Sequence, residues 1–378
     1  MLPGSSRMKP CRVVIDAEKL RRINCGLGRF SLHLAEGMLD GEGDRIEPIL
    51  LLPRDGERYF FSRHIRTIRV RPWRKEFIRR WVRPLVAPLA GRPSFDLWHM
   101  TNQMSRYEPL APRVPMLLTV HDLTFLHEAP QDGRMQEIER KRTDIQRRVD
   151  RSAAIAVDSE FVAEDVRREL DIGGRPIHVI PLGLEPAAAA AAGRPAFLSD
   201  GLPFLLSVGN ALAHKNFHVL FDLLEHVPDR RLVIAGNMQT DYGDHLHRLV
   251  SRHGLEGRVL LPGEVSDADR QWLYEHCEAF LFPSLSEGFG FPVLEAMHAG
   301  RPVFVSRLTS LPEITRDHGF YFESFVPDAM AAQLARGLAR FAADPGMATA
   351  AKAHAASFSW QETVRRYAEL YEQVSAAA

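Results

Sequence analysis

Short apolar runs of strand length alternate with helical stretches along the chain, and the series is written twice. In the first half the apolar runs fall at 11–16, 46–52, 67–70, 96–100, 116–120, 153–157 and 178–180, with helical spacing from about Arg29 and at 136–150 and 159–170. In the second half they fall at 204–208, 231–235, 259–261, 279–282 and 303–305, with helices at 216–225, 244–253, 267–276 and 328–342. Unbroken apolar strands are buried on both faces, and strands separated by helices pair in parallel. The pattern predicts an α/β chain of two Rossmann-like, doubly wound parallel-sheet domains. A length of 378 residues agrees, since single cores stop growing before that size. Residues 186–195 are nearly all alanine with no amphipathic pattern, so 186–200 reads as a linker between domains at 1–185 and 201–358. A last helix, 359–378, carries Val364, Tyr367, Leu370 and Tyr371 at helical spacing.

The 48 basic and 48 acidic residues cancel, which argues against a nucleic-acid binder. Three scattered cysteines, Cys11, Cys25 and Cys277, lack metal-ligand spacing and suit a reducing compartment. No apolar run reaches bilayer-spanning length, and the first residues lack a signal-peptide core, so the expected location is the cytoplasm. One segment breaks the charge balance. Arg74, Arg79, Arg80 and Arg83 interleave with Trp73, Phe77 and Trp81. A basic helix with tryptophans on one face suits an anionic membrane surface or a diphosphate-bearing lipid, and equally a solvated face packed on a core.

The most informative stretch is SLSEGFGFPVLEAMHAG, residues 284–300. An apolar strand leads into it and a helix begins near Phe291, with Gly288 and Gly290 in the turn between. Such a corner presents backbone N–H groups at the carboxyl edge of a sheet, where phosphates and sugar hydroxyls bind. Glu287 precedes the corner and Glu295 falls one turn into the helix, with seven residues between them. Each carboxylate can accept two hydrogen bonds from a vicinal diol. Taken singly, the glycines serve a plain chain reversal and a helix-start glutamate complements the dipole. The whole string resembles the Glu-(x)7-Glu signature of retaining glycosyltransferases of family 4, which have the two-Rossmann GT-B architecture with domains facing across a cleft.

That resemblance assigns further residues. Glu287 would fix hydroxyls of the transferred sugar and Glu295 the ribose of the donor, with the amides of Gly288, Phe289, Gly290 and Phe291 on the diphosphate. Lys215, in Gly209-Asn210-Ala-Leu-Ala-His214-Lys215-Asn216, would reach the diphosphate as a point charge. The family commonly has Gly-Arg where this chain has Gly209-Asn210, leaving His214 or Arg29 as the second cation. Members resembling mannosyltransferases share Gly-Asn followed by His-Lys-Asn. Glu264 and Val265 would border the base. Gly28, in a glycine loop after the first strand, would border the donor phosphates and acceptor, and Ser310-Leu-Pro-Glu313 would form a loop near the cleft. His121, after the strand 116–120, would hold the transferred sugar, with Asp122 orienting the loop. The last helix would cross back to the first domain.

The implied reaction is hexose transfer from a nucleotide sugar, GDP-mannose or a UDP-hexose, to a glycan or polyprenyl-diphosphate-linked acceptor at the inner membrane face. No cofactor is implied, the donor being a substrate. By the same resemblance no metal is expected, since GT-B members usually need none. Two other readings stay open: a GT-B epimerase or phosphorylase, and a non-catalytic sugar-nucleotide-binding protein.

Overall fold

The computed structural model describes residues 9–23, 25–60, 65–69, 94–109, 111, 113–127, 135–185, 193–198 and 201–377. They form two compact units. The first comprises the residues up to Gly183, apart from His127, together with the stretch from Ser359 onward, and the second comprises His127 and Leu184–Phe358.

The first unit begins with β1 (Cys11–Asp16), α1 (Gly26–Asp40), β2 (Ile46–Leu52), β3 (Arg66–Arg69), β4 (Leu97–Met100) and β5 (Met116–Val120). It continues through α2 (Met135–Arg151), β6 (Ala154–Val157), α3 (Glu160–Glu169) and β7 (Ile177–Val179). The seven strands pair in parallel in the order β3-β2-β1-β4-β5-β6-β7. Strand order therefore reverses between β1 and β4. One face of the sheet, with Val14, Leu118 and Val157, packs under Ile145 and Val149 of α2 and Val162 and Val166 of α3. Ser159 caps α3, its hydroxyl accepting from the Val162 amide at 3.2 Å.

The helix α1 departs from the expectation of a glycine turn before Arg29. Gly26 and Gly28 form its first turn, with Cys25 as the N-cap. Gly28 is required by close approach, because a Cβ there would overlap the Arg22 carbonyl. The basic stretch with Arg74, Arg79, Arg80 and Arg83 lies outside the described residues, as do residues 186–192 and 199–200 of the expected linker.

The second unit runs β8 (Phe204–Val208), α4 (Val219–Glu225), β9 (Arg231–Ala235), α5 (Asp241–Arg252), β10 (Val259–Gly263), α6 (Asp267–His276) and β11 (Ala279–Phe282). It ends with α7 (Phe291–His298), β12 (Val303–Ser306), α8 (Leu311–Thr315), β13 (Phe320–Phe322), α9 (Pro327–Ala343) and α10 (Gly346–Ala356). Its parallel order is β10-β9-β8-β11-β12-β13, so the reversal here falls between β8 and β11. The strand β13 and helix α10 were not anticipated, the first for its brevity and the second because GMATAAKAHAA has almost no apolar stripe. The expected loop at Ser310–Glu313 is instead the start of α8, where Pro312 fits a helix's first turn.

The final helix, α11 (Trp360–Ala376), belongs to the first unit. Val364 packs so closely on α1 that a Cβ at Gly37 would overlap it. Beneath it, His99 on β4 lies 2.7 Å through Nδ1 from the Tyr371 hydroxyl and 2.8 Å through Nε2 from the Thr119 hydroxyl. Among the described residues no helix is long and apolar enough to cross a membrane.

Candidate active site

In a doubly wound sheet, ligands bind beyond the carboxyl ends of the strands where the order reverses, because the loops there diverge and leave a crevice. In the second unit those strands are β8 and β11, and the stretches that follow them carry the predicted residues. After β8 come Gly209 and Asn210, then a single 3-10 turn, Ala213–Lys215. Lys215 therefore sits four residues before α4, not at a helix start. Asn216 closes the turn in the left-handed conformation, φ +56°, and its buried Nδ2 donates to the Pro283 carbonyl at 3.2 Å. The Leu285 amide donates to the His214 carbonyl at 2.7 Å, so the post-β8 and post-β11 segments are stitched together.

This stitching brings Lys215 and Glu287 into contact. Lys215 Nζ donates to Glu287 Oε1 at 2.6 Å and lies 5.0 Å from the Phe282 ring centroid. Both side chains are shielded yet reachable, at 13% and 12% exposure. The Glu287 amide donates to Thr309 Oγ1 at 3.1 Å, and the Ser310 hydroxyl lies 3.0 Å from the carbonyls of both Glu287 and Phe289. Gly290, at φ +115°, takes a conformation that disfavours side chains, and α7 begins at Phe291. Pro292 has no N–H and the Val293 amide is spent on the Gly290 carbonyl, so an anion here would meet the amides preceding them. The Phe289 ring is buried against Phe291 and Phe358, leaving its backbone as the part that serves the turn.

Glu295 is held from α6. The Tyr274 hydroxyl donates to Glu295 Oε2 at 2.6 Å. Burial first, and then the Glu295 charge, push the Tyr274 pKa well above its ordinary value, so the hydroxyl remains a donor. Burial works against the Arg270 charge, but Glu295, Tyr274, Asp267 and Glu185 outweigh it and raise its pKa. Neither α6 residue was singled out in the sequence, although Arg270 and Tyr274 are spaced four apart on one helix face. Asn210 is exposed, and its Oδ1 accepts from the Asn237 amide at 3.4 Å. Glu264, exposed, and Val265, half-buried, follow the edge strand β10, two strands away from the reversal.

In the first unit His121 follows β5 as expected, but it is only 6% exposed and both ring nitrogens are engaged. Nδ1 lies 2.6 Å from Asp158 Oδ2, and Nε2 lies 2.8 Å from the Thr101 carbonyl. Burial opposes a charge on the ring, but the Asp158 charge and these hydrogen bonds prevail and raise its pKa. Asp158 and the Thr101 carbonyl thus offer the ring an acceptor at each nitrogen. A sugar hydroxyl would have to displace Thr101 to reach Nε2. Asp158 follows β6 as His121 follows β5, so the same carboxyl-end rule points to it. Gly28 lies inside α1.

Two family models match. One, described as glycosyl transferases group 1, covers residues 193–358, and the other, glycosyltransferase family 4, covers residues 25–188. The O-antigen chain mannosyltransferase B of Escherichia coli is 31% identical over 174 residues, 45% of this chain and 45% of that protein. The chain thus spans less than half the length of the curated relatives it first matches. A glycosyltransferase from Rickettsia africae superposes with a TM-score of 0.71 at 17% identity, covering 97% of this chain and 99% of that one. HepE of Anabaena, solved in complex with UDP and glucose, gives 0.67 at 17% identity, covering 96% and 100%. The chain has the GT-B fold, its two parts match the models of glycosyltransferase family 4 and of glycosyl transferases group 1, and it is similar to O-antigen mannosyltransferases.

Proposed function

We propose that this chain transfers a hexose from a nucleotide sugar to a hydroxyl of a glycan or polyprenyl-diphosphate-linked acceptor, in the assembly of an O-antigen-type surface polysaccharide. Mannose from GDP-mannose is the favoured donor, on the kinship with mannosyltransferases and the Gly-Asn…His-Lys-Asn string, with UDP-hexoses next. The carrying observation is the Lys215–Glu287 contact at 2.6 Å, made between the segments that follow the two strands flanking the sheet reversal. A cation and a carboxylate meeting at that point suit a ligand with a diphosphate on one side and vicinal hydroxyls on the other.

In the reaction the bond between the anomeric carbon and the diphosphate oxygen breaks. The acceptor oxygen bonds to the same face, and the leaving phosphate takes the acceptor proton, so configuration is retained. Lys215 and the amides of 288–291 stabilise the departing charge. Glu287 fixes sugar hydroxyls, and Glu295, aimed by Tyr274, accepts from the ribose. His121 donates to the sugar through Nε2 in exchange for Thr101. The cationic Lys215 does work that a metal would otherwise do, hence a metal-independent enzyme. The arginines at 74, 79, 80 and 83 are assigned to the acceptor or an anionic membrane face on their sequence alone.

The test is to incubate the chain with GDP-mannose and UDP-hexoses, with and without a polyprenyl-diphosphate oligosaccharide, and to read the product's anomeric configuration by proton NMR. The expected product is α-linked and appears only with acceptor. Lys215→Ala should lower turnover by at least about 100-fold. A β-linked product would end the retaining assignment, and donor conversion without acceptor would point to an epimerase.

A further inference from the structure

The turn that carries Glu287 is fastened by a strained residue. Thr309, after β12, has φ +56°, a left-handed conformation that a β-branched side chain rarely adopts. Such a residue persists only where its surroundings over-determine it, and these outliers cluster at functional sites. Here the conformation delivers Oγ1 to within 3.1 Å of the Glu287 amide. The next residue, Ser310, buried, sets its hydroxyl 3.0 Å from the Glu287 and Phe289 carbonyls. Two consecutive hydroxyls therefore grip both the N–H and the C=O of the residue whose carboxylate meets Lys215. A glycine at 309 would adopt the same backbone without strain, but would leave the Glu287 amide without the hydroxyl that accepts from it.

We propose that Thr309 is a positioning residue, whose hydroxyl fixes the Glu287 main chain and thereby the direction in which its carboxylate meets the transferred sugar. The proposal rests on the reading that Glu287 grips that sugar, and it goes beyond that reading by placing the control of its aim 22 residues away on another loop. Displacing a positioned group by a fraction of its reach costs rate and leaves the binding of other ligand parts intact.

The experiment compares wild type with Thr309→Ser, Thr309→Val and Thr309→Gly, measuring sugar transfer, nucleoside-diphosphate affinity and thermal unfolding. Thr309→Ser keeps the hydroxyl and should transfer at close to the wild-type rate. Thr309→Val and Thr309→Gly should lower kcat by about 10- to 100-fold, with GDP and UDP affinities unchanged. In Thr309→Gly, relief of strain offsets the lost hydrogen bond, so its melting temperature should stay within about 3 °C of wild type. A Thr309→Gly chain that is folded and transfers at the wild-type rate overturns the proposal. So does a loss of transfer matched by an equal loss of nucleotide affinity, which would mean a collapsed site. If Glu287→Gln transfers normally while Lys215→Ala does not, the reading of Glu287 itself fails, a result distinct from either.

Discussion

Asp16 ends β1 with a carboxyl that is 1% exposed, where it accepts from the Ser105 hydroxyl and, at 3.0 Å, from the Glu18 amide. Burial outweighs those bonds and raises its pKa from 3.8 to about 6. On the neighbouring strand, burial holds His99 neutral and lowers its pKa to about 3. The two act oppositely on stability. The Asp16 pKa is raised on folding, so its contribution is full below about pH 3.8 and is lost as pH rises through about 6, costing about 3 kcal/mol when ionised. The His99 pKa is depressed, so its contribution is present above about pH 6.5 and is lost as pH falls toward 3. The raised pKa of His121 adds a loss beginning above pH 6.5. Asp16→Asn removes only the first of these. Relative to wild type, its unfolding free energy should improve by up to about 3 kcal/mol between pH 4 and pH 8, read from urea midpoints across that range. A constant difference between the two proteins would refute the buried-acid account. Side-chain roles were legible here to the extent that a strand end marks them. His121 stood out because a polar residue after an apolar strand is anomalous, whereas Thr309 was invisible because backbone handedness leaves no mark on a threonine.

At the scale of elements, α11 shows a helix whose partners are chosen by polar as well as apolar contacts. Its stripe of Val364, Tyr367, Leu370 and Tyr371, read from the sequence as one buried face, is buried throughout. The periodicity could not say that two of those tyrosines carry hydroxyls into a buried network. Tyr371 meets His99, and Tyr367 lies 3.1 Å from Thr119, which also serves His99. Removing one partner leaves a buried nitrogen unpaired, which costs more than the bond itself contributes. Tyr371→Phe should therefore destabilise the first unit by about 1–3 kcal/mol with little change in packed volume. Urea unfolding followed by the fluorescence of Trp98 and Trp360 would measure it. Unchanged stability would mean that the network is held by water or by its neighbours. The α1 boundary was misread for a related reason. Glycines look like turn residues in a sequence, and only the Arg22 carbonyl pressed against Gly28 reveals close packing as their use.

At the scale of the molecule, strand-and-helix alternation made two parallel-sheet units legible, but not the strand order that makes either one a binding unit. The reversal between β8 and β11 arises from which edge each crossover chooses, and that choice lies in packing between residues far apart in sequence. Once it is fixed, the residues assigned to the nucleotide, Lys215, Glu295 and the 288–291 amides, all belong to the second unit, while His121 belongs to the first. The two units should consequently respond differently to a nucleotide alone. A ligand that binds only the folded form stabilises it by about 2.7 kcal/mol at 100 times its Kd. For a domain of this size that raises the unfolding temperature by about 5–10 °C. GDP should produce the shift in wild type and in His121→Ala, more strongly than UDP if mannose is the sugar carried. Lys215→Ala and Glu295→Ala should weaken it, the first by loss of charge on the diphosphate and the second by loss of the ribose acceptor. A shift abolished by His121→Ala but intact in Glu295→Ala would move the nucleotide to the first unit. It would reverse the division of labour proposed for the two units.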